Sequence, residues 1–324
     1  MTTLLEVRDL RVSFPVSGGR TIHPVDGVSF ALERGRTLAL VGESGCGKSL
    51  TGLALLRLVP SPGRVDASSS IRLDGTDLMS LDEDAMRAVR GGRIGMVFQD
   101  PMTSLNPVLT VGDQIAEAVR AHRPVSRGAA LSRAESLLSE VGIADPSRRL
   151  SEYPHQLSGG MRQRVMIAIA LAAGPEILIA DEPTTALDVT VQAQILELLD
   201  RLRVQHGMAV LLITHDLGVV AGRADDMCVM YAGQIVERAS TRQVFEAPAH
   251  PYTRGLFGSV PTITGPRERL TPISGSVPPP TAWPTGCRFA PRCPVRFERC
   301  DTMPSLRHAA PGHESRCWLT GVEP

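Results

Sequence analysis

The chain has 324 residues, of which 43% are hydrophobic and 21% are charged, and its 34 Lys and Arg residues balance its 34 Asp and Glu residues. This length suffices for one large domain with a buried core and a smaller addition. A formal net charge of zero disfavours a large basic face for nucleic acid. The charged N-terminal segment predicts no signal peptide, and the longest apolar run, residues 165–175, is shorter than the roughly 20 residues that span a bilayer.

The first part of the chain is predicted to form strands followed by a glycine-rich loop. Residues 4–14 and 26–32 alternate between apolar and polar, as edge strands do. Residues 36–41 form a short apolar strand that leads into the loop, and residues 49–58 then have the pattern of a helix that stops at Pro60.

The middle of the chain is predicted to be mainly helical. Residues 94–98 form a short strand that leads to Gln99, and the pattern is helical from about 111 to 173. Within this stretch, apolar residues recur at helical spacing before the predicted C-cap residue Gly142: Leu131, Ala134, Leu137, Leu138 and Val141. We therefore expect an inserted helical subdomain at about 100–173.

Strands and helices alternate again after this stretch. Residues 177–180 form a buried strand, residues 190–205 form an amphipathic helix that ends at Gly207, and residues 210–214 form another apolar strand. The inward side of that helix is predicted to carry Ile195, Leu198, Leu199 and Leu202. Such alternation is typical of an α/β fold with a mainly parallel sheet.

The composition changes near residue 247. Residues 248–324 hold 14 of the 25 prolines and four of the six cysteines, and they show no periodicity. We predict a core domain over 1–247 and a separate Cys- and Pro-rich extension with little regular structure over 248–324.

The glycine-rich loop has the form G-x-x-x-x-G-K-[ST] and reads Gly42-Glu43-Ser44-Gly45-Cys46-Gly47-Lys48-Ser49. Its glycines let successive backbone N–H groups point inward at phosphate oxygens, and the following helix adds its positive N-terminal end. Lys48 is predicted to bridge the β- and γ-phosphates, and the Ser49 hydroxyl is predicted to bind Mg²⁺. The preceding strand and following helix make a chance match improbable.

A pair of carboxylates follows the strand at 177–180. Asp181 is predicted to hold Mg²⁺ directly or through water, and Glu182 to act as the general base for the attacking water. The alternative is that the two acids merely favour the first turn of a helix before Pro183. That alternative leaves the glycine-rich loop unexplained.

A second anion site is predicted where Ser158-Gly159-Gly160 begins a helix that runs to about Ala173. One chain has no use for two such sites on one ATP, whereas a head-to-tail dimer does. His215 follows the strand at 210–214, and a lone histidine near a strand end is by itself more often structural than catalytic.

The loop, the Leu157-Ser158-Gly159-Gly160-Met161 segment, the 177–182 segment and Thr214-His215-Asp216 together resemble the ATP-binding subunit of an ABC transporter. Met161 stands where many relatives have Gln. Three further segments resemble the dipeptide/oligopeptide (peptide/nickel) importers in particular: Asp100-Pro101-Met102-Thr103-Ser104-Leu105-Asn106-Pro107, Thr184-Thr185-Ala186-Leu187-Asp188-Val189-Thr190-Val191-Gln192 and His250-Pro251-Tyr252-Thr253-Arg254-Gly255-Leu256.

The resemblance implies a site and the role of each residue in it. The catalytic residues are Glu182 and His215. The ATP-binding residues are Phe14, stacked on adenine, and Gly42, Ser44, Gly45, Cys46, Gly47, Lys48, Ser49, Leu50 and Gln99. The residues that contact the ATP of the opposite subunit are Ser158, Gly159, Gly160 and Asp188. The residues that bind Mg²⁺ are Ser49, Gln99 and Asp181.

The same resemblance implies the fold and the partners. The fold is an α/β ABC-type P-loop ATPase core with a helical subdomain, an antiparallel β part and an irregular C-terminal extension. The partners are two transmembrane permeases, a second and related ATPase subunit and, indirectly, an extracytoplasmic substrate-binding protein, with no nucleic acid. The chain would energise peptide import as a peripheral protein on the cytoplasmic face of the membrane.

Three other functions stay open at this point. The same motor could import nickel chelates or other small solutes. A soluble ABC ATPase acting on nucleic acid or ribosomes is disfavoured, because the chain has no heptad run and no basic excess. A regulatory protein that holds ATP without turnover is disfavoured by Glu182.

The extension carries four cysteines, Cys287, Cys293, Cys300 and Cys317, spaced C-x5-C-x6-C-x16-C. Disulfides are disfavoured in a reducing cytosol. Zinc is open although close C-x2-C pairs are absent, and an iron–sulfur cluster accepts irregular spacing. A structural role of the cysteines without a metal is also open. The resemblance implies a [4Fe-4S] cluster held by these four residues, which would act as a structural clip.

Cys46 lies in the phosphate-binding loop at the predicted start of a helix. That position tends to lower the pKa of a thiol. The sequence therefore predicts that alkylation of Cys46 blocks ATP hydrolysis and that bound ATP protects the thiol.

Overall fold

The computed structural model describes residues 2–100, 104–185, 187–259 and 273–321. Its strands are β1 (Thr3–Val16), β2 (Arg20–Glu33), β3 (Thr37–Val41), β4 (Arg64–Val65), β5 (Ser70–Leu73), β6 (Thr76–Asp77), β7 (Ile94–Val97), β8 (Ile177–Asp181), β9 (Ala209–Thr214), β10 (Asp226–Tyr231), β11 (Gln234–Ser240), β12 (Arg307–Ala310) and β13 (His313–Ser315).

Its helices are α1 (Lys48–Leu55), α2 (Glu83–Val89), α3 (Val111–His122), α4 (Arg127–Glu140), α5 (Pro146–Arg149), α6 (Gly159–Ala170), α7 (Val189–His206), α8 (Leu217–Val220), α9 (Thr241–Glu246) and α10 (Pro251–Gly258). Short 3₁₀ turns lie at Pro154–Gln156, Pro280–Ala282, Ala290–Arg292 and Glu298–Asp301. In the described part of the chain, no helix combines the length and the apolar character needed to cross a membrane.

The chain divides into two compact units, and the first comprises Met1–Leu4, Leu32–Arg36 and Ser80–Leu212. Strands β7 and β8 pair in parallel, from Ile94 opposite Ile177 to Val97 opposite Ala180, with β9 on the other side of β8. This sheet is apolar because both of its faces are covered, which is typical of parallel sheets.

The helices α3 to α6 of the first unit confirm the predicted helical stretch. Ala134, Leu137 and Leu138 are buried along α4, and Gly142 follows with φ 75°, as a C-terminal glycine does. Helix α6 ends at Ala170, slightly earlier than predicted. In α7, the predicted inward residues Ile195, Leu198, Leu199 and Leu202 are all buried.

The second unit comprises Leu5–Ala31, Thr37–Met79 and Ile213–Pro324. It contains the antiparallel part, in which β1 pairs with β5 from Leu5 opposite Leu73 to Arg8 opposite Ser70. It also contains a mixed sheet in which β3 pairs in parallel with β10, and β10 pairs antiparallel with β11. The predicted α/β fold with an antiparallel addition is confirmed.

The C-terminal extension contributes to this mixed sheet, although its composition indicated little regular structure. Strand β13 pairs antiparallel with β11, and β12 pairs with β13. The carboxylate of Glu237, on β11, is fully buried; it accepts hydrogen bonds from the N–H groups of Ala249 (2.7 Å) and His250 (2.8 Å) and contacts His313 Nε2 at 2.7 Å. A buried carboxylate requires such hydrogen-bond partners. Glu237 therefore links both the start of the extension, at Ala249 and His250, and its later part, at His313, to strand β11.

Candidate functional site

The predicted phosphate-binding loop lies in the second unit, between buried strand β3 and helix α1. The φ values of Gly42, Gly45 and Gly47 are 154°, 80° and 107°, and residues other than glycine rarely adopt such values. A Cβ atom at Gly47 would also lie 2.7 Å from the methyl carbon of Met230 and from the carbonyl oxygen of Pro24. The glycines are therefore required by the backbone path of this loop.

Lys48 places a positive charge inside the loop. The residue is 4% exposed, and its Nζ donates hydrogen bonds to the carbonyl oxygens of Gly42 (2.8 Å) and Glu43 (3.1 Å). Ser44 and Gly45 are exposed at the tip, whereas Ser49 and Leu50 are half-buried in the first turn of α1. A buried ammonium group within a curled loop at a helix N-terminus is a site for an anion.

Cys46, within the loop, is fully buried, and the expected lowering of the pKa of its thiol is wrong. Burial raises the pKa of the Cys46 thiol, although the charge of Lys48 acts in the opposite direction. The sequence correctly predicted that Cys46 lies at a helix N-terminus. It did not predict that the Cys46 side chain is buried away from solvent. We therefore expect this thiol to resist alkylation rather than to control activity.

In the first unit, Asp181 is the last residue of strand β8 and Glu182 follows it, and both residues are buried. The Oε2 atom of Glu182 accepts hydrogen bonds from Gln99 Nε2 (3.0 Å) and Thr185 Oγ1 (3.0 Å). Glu182 has φ 44°, an unusual backbone conformation that is found preferentially at functional sites. Among the described residues, the next helix begins only at Val189, so these acids do not begin a helix.

The predicted second anion site lies at the start of α6. The Ser158 side chain accepts a hydrogen bond from the Met161 N–H group (3.3 Å), as a helix N-cap does. A Cβ atom at Gly160 would lie 2.6 Å from Val191 Cγ1, near the start of α7. Asp188 caps α7 through the Val191 N–H group (2.9 Å). The Ser158–Gly160 turn and the Asp188 turn are therefore neighbours within the first unit.

His215 and Phe14 lie in the second unit. His215 is exposed directly after β9, and the adjacent Asp216 caps helix α8 through the Gly218 N–H group (2.8 Å). Phe14 is half-buried with its ring packed against Gly63. These contacts do not test the predicted roles of the two side chains, which stay predictions.

The four cysteines of the extension line one small, mainly apolar cavity together with His250, Phe289 and Trp318. Burial raises the pKa of Cys287 to about 11 and also raises that of Cys293 and Cys317. Within the described ranges, no three His, Cys, Asp or Glu side chains are grouped as ligands for a metal ion. Tertiary folding thus brings to one place four thiols that are spread over 31 positions of the sequence.

Sequence reasoning missed three residues that hold the predicted site. Thr185 contacts Glu182, Tyr252 accepts a hydrogen bond from the Glu43 N–H group (2.9 Å), and Arg292 pairs with the Glu43 carboxylate. Thr185 and Tyr252 lie within segments that carried the family resemblance, so a signal was present. No local pattern marks Arg292.

The fold and the site define the class of the protein as an ABC-type ATPase. A family model described as ABC transporter matches residues 25–185. A solved ATP-binding cassette, described as a dimer in a post-hydrolysis state bound to ADP and phosphate, is 27% identical with a TM-score of 0.65 and covers 74% of this chain and 99% of its own. A cassette from Clostridium perfringens is 26% identical with a TM-score of 0.64 and covers 76% of this chain and 92% of its own.

Relatives that match almost the whole chain identify the family within the ABC transporters. The oligopeptide transport ATP-binding protein AppD of Bacillus subtilis is 51% identical over 98% of this chain and 97% of its own length. The dipeptide transport ATP-binding protein DppD of the same organism is 51% identical over 98% of this chain and 95% of its own length. A model of the C-terminal region of oligopeptide/dipeptide transporters matches residues 236–300. The chain belongs to the family of ABC ATP-binding subunits of oligopeptide and dipeptide importers.

Proposed function

We propose that this chain binds ATP on the loop 42–49 and hydrolyses it to drive the import of peptides through a membrane transporter. The observation that carries the proposal is the buried ammonium group of Lys48, held by the carbonyl groups of Gly42 and Glu43 inside the glycine-rich loop. The negative charge of a bound triphosphate would be stabilised by this ammonium group and by the surrounding backbone N–H groups. Phe14 would stack on the adenine.

Each further residue of the site has a distinct task in this proposal. The family resemblance assigns Asp181, Ser49 and Gln99 to Mg²⁺, a cation that prefers oxygen ligands, and the bound ion would neutralise phosphate charge. Glu182 would take a proton from the attacking water, and its hydrogen bonds from Gln99 and Thr185 support this role because they fix the orientation of the carboxylate. His215 would contact the γ-phosphate.

The proposal includes a second ATPase subunit. The Ser158–Gly160 turn presents backbone N–H groups at the start of α6, and Asp188 lies beside it. These groups would contact the ATP that is bound by the opposite subunit, which a related chain would supply in a heterodimer. The two subunits would work on two permeases at the cytoplasmic face of the membrane, and an extracytoplasmic binding protein would deliver the peptide.

A transport experiment tests this function. We expect that disrupting the gene in its own host abolishes the uptake of labelled di- or oligopeptides. The native chain should restore uptake and the Lys48→Ala variant should not, because the variant lacks the buried positive charge. The Arg242→Ala variant, which removes an exposed arginine from the same unit, is the matched control. Restored nickel accumulation without peptide uptake would favour the nickel importer, and unchanged uptake of both would contradict an import function.

We also propose that Cys287, Cys293, Cys300 and Cys317 hold a [4Fe-4S] cluster. Four cysteines are the kind and number of ligands that such a cluster takes, and they line one apolar cavity, although the described side chains form no group of three that could hold a metal ion. A bound cluster would stabilise an extension that is rich in proline and has little apolar surface of its own. A structural zinc is the alternative.

A metal assay separates these alternatives. We expect the chain purified without oxygen to be brown and to carry about four iron and four sulfide per chain. A Cys300→Ser variant should lose the colour and lower the thermal stability of the extension, whereas Cys228→Ser, which changes a buried cysteine of β10, should keep the colour. A colourless protein with one zinc per chain would show a structural zinc in place of the cluster. A metal-free protein would contradict both the cluster and the zinc.

A further inference from the structure

Glu43, the second residue of the phosphate-binding loop, is held at its backbone from two sides. Its N–H group donates to Tyr252 Oη (2.9 Å), and its carbonyl oxygen accepts from Lys48 Nζ (3.1 Å). The position of this one residue therefore sets the position of an oxygen that contacts the lysine ammonium group.

The side chain of Glu43 is held by the C-terminal extension. Arg292 donates from Nη1 to Oε2 (2.6 Å) and from Nη2 to Oε1 (3.0 Å), which is a two-bond ion pair. The Arg292 side chain is 6% exposed and that of Glu43 is 28% exposed, so water screens the pair only in part. The two residues are 249 positions apart in the sequence.

Arg292 is itself fixed in place by other parts of the extension. Its Nε donates to the carbonyl oxygen of Ser274 (2.8 Å) and its Nη2 to that of Gly275 (3.1 Å). Arg292 ends the 3₁₀ turn Ala290–Arg292, and the preceding Phe289 packs against the ring of Tyr252 at 5.4 Å. Because the guanidinium group is anchored, it constrains Glu43 rather than following it.

We propose that Arg292 is a positioning residue for ATP binding: through Glu43 it holds the phosphate-binding loop in the shape that places Lys48. The inference rests on the proposed ATP-binding role of this loop. A loop that is already ordered loses less conformational entropy when ATP binds. The extension is then part of the ATPase machinery, because ATP affinity depends on a contact that it supplies.

The test measures ATP binding to the full chain by titration calorimetry. We expect Arg292→Ala to weaken ATP binding about tenfold, which is the order of effect expected when a hydrogen bond between charged groups is lost. Arg292→Lys should recover part of the affinity, because it keeps the charge but not the two-bond geometry. Arg296→Ala is the matched control: it removes an arginine four positions later, whose pair with Asp301 (2.8 Å) is exposed, and it should bind ATP as the native chain does.

A double-mutant cycle distinguishes positioning from a merely structural effect. If Arg292 acts through Glu43, the double variant Arg292→Ala/Glu43→Gln should bind ATP as weakly as the weaker single variant. Additive losses would overturn the inference, and so would native affinity in Arg292→Ala. Glu43→Gln, which changes a partly exposed side chain, supplies the measurement if Arg292→Ala does not fold. If the native chain and Lys48→Ala bind ATP equally, the proposed ATP site itself fails, which is a separate result.

Discussion

The Glu182→Gln variant is expected to bind ATP as the native chain does and to hydrolyse it about 100- to 10,000-fold more slowly. The amide has the size of the carboxylate, and its oxygen can still accept the hydrogen bonds from Gln99 and Thr185. It cannot accept a proton from water at neutral pH, so the positioned base is lost while the local structure is kept. Phosphate release under saturating ATP and ATP binding by calorimetry measure the two effects separately.

The matched control for this prediction is Glu197→Gln, which changes an exposed glutamate on α7 in the same unit. We expect this control to keep native turnover. Unchanged turnover in Glu182→Gln would remove the general base from the mechanism and would favour a protein that binds ATP without using it. Loss of ATP binding would instead assign Glu182 to the binding site.

Lys48→Ala is expected to raise the Kd for ATP about 10- to 150-fold, because a hydrogen bond from a charged group contributes roughly 1.5–3 kcal/mol. The loop keeps its glycines but loses the hydrogen bonds from Nζ to the carbonyl oxygens of Gly42 and Glu43, so the lower affinity reflects both the missing charge and the missing support of the loop. Lys48 is the only lysine of the sequence, which uses arginine for every other basic side chain. A compact ammonium group fits inside the loop where the larger, planar guanidinium group does not.

Lys48→Arg sharpens this prediction, since it keeps the charge and changes its shape. We expect Lys48→Arg to bind ATP nearly as weakly as Lys48→Ala, whereas Arg242→Ala should leave the Kd unchanged because its ion pair with Glu246 is exposed. Native affinity in Lys48→Ala would exclude the loop as the phosphate-binding site. Native affinity in Lys48→Arg would show that charge alone is sufficient.

The sequence predicted local features well where the chemistry of a short segment decides them. Helix α7 has its predicted buried face, and Gly207 ends it with φ 62°, because amphipathic spacing and a terminal glycine are properties of consecutive residues. The direction of the Cys46 side chain was not predictable in this way. A helix N-terminus lowers the pKa of a thiol only if the sulfur faces the positive end, and here the pKa is raised by burial.

The sequence by itself determined the class of the protein, its phosphate-binding loop and its pair of carboxylates, because each is a contiguous run whose residue types suit one chemistry. Only the tertiary structure decided that Gln99 contacts Glu182, that four cysteines share one cavity, and that Arg292 holds Glu43. Such contacts join residues that are far apart in the chain. They depend on how the strands, turns and helices pack within each unit, and no periodicity or motif in one segment specifies its distant partner.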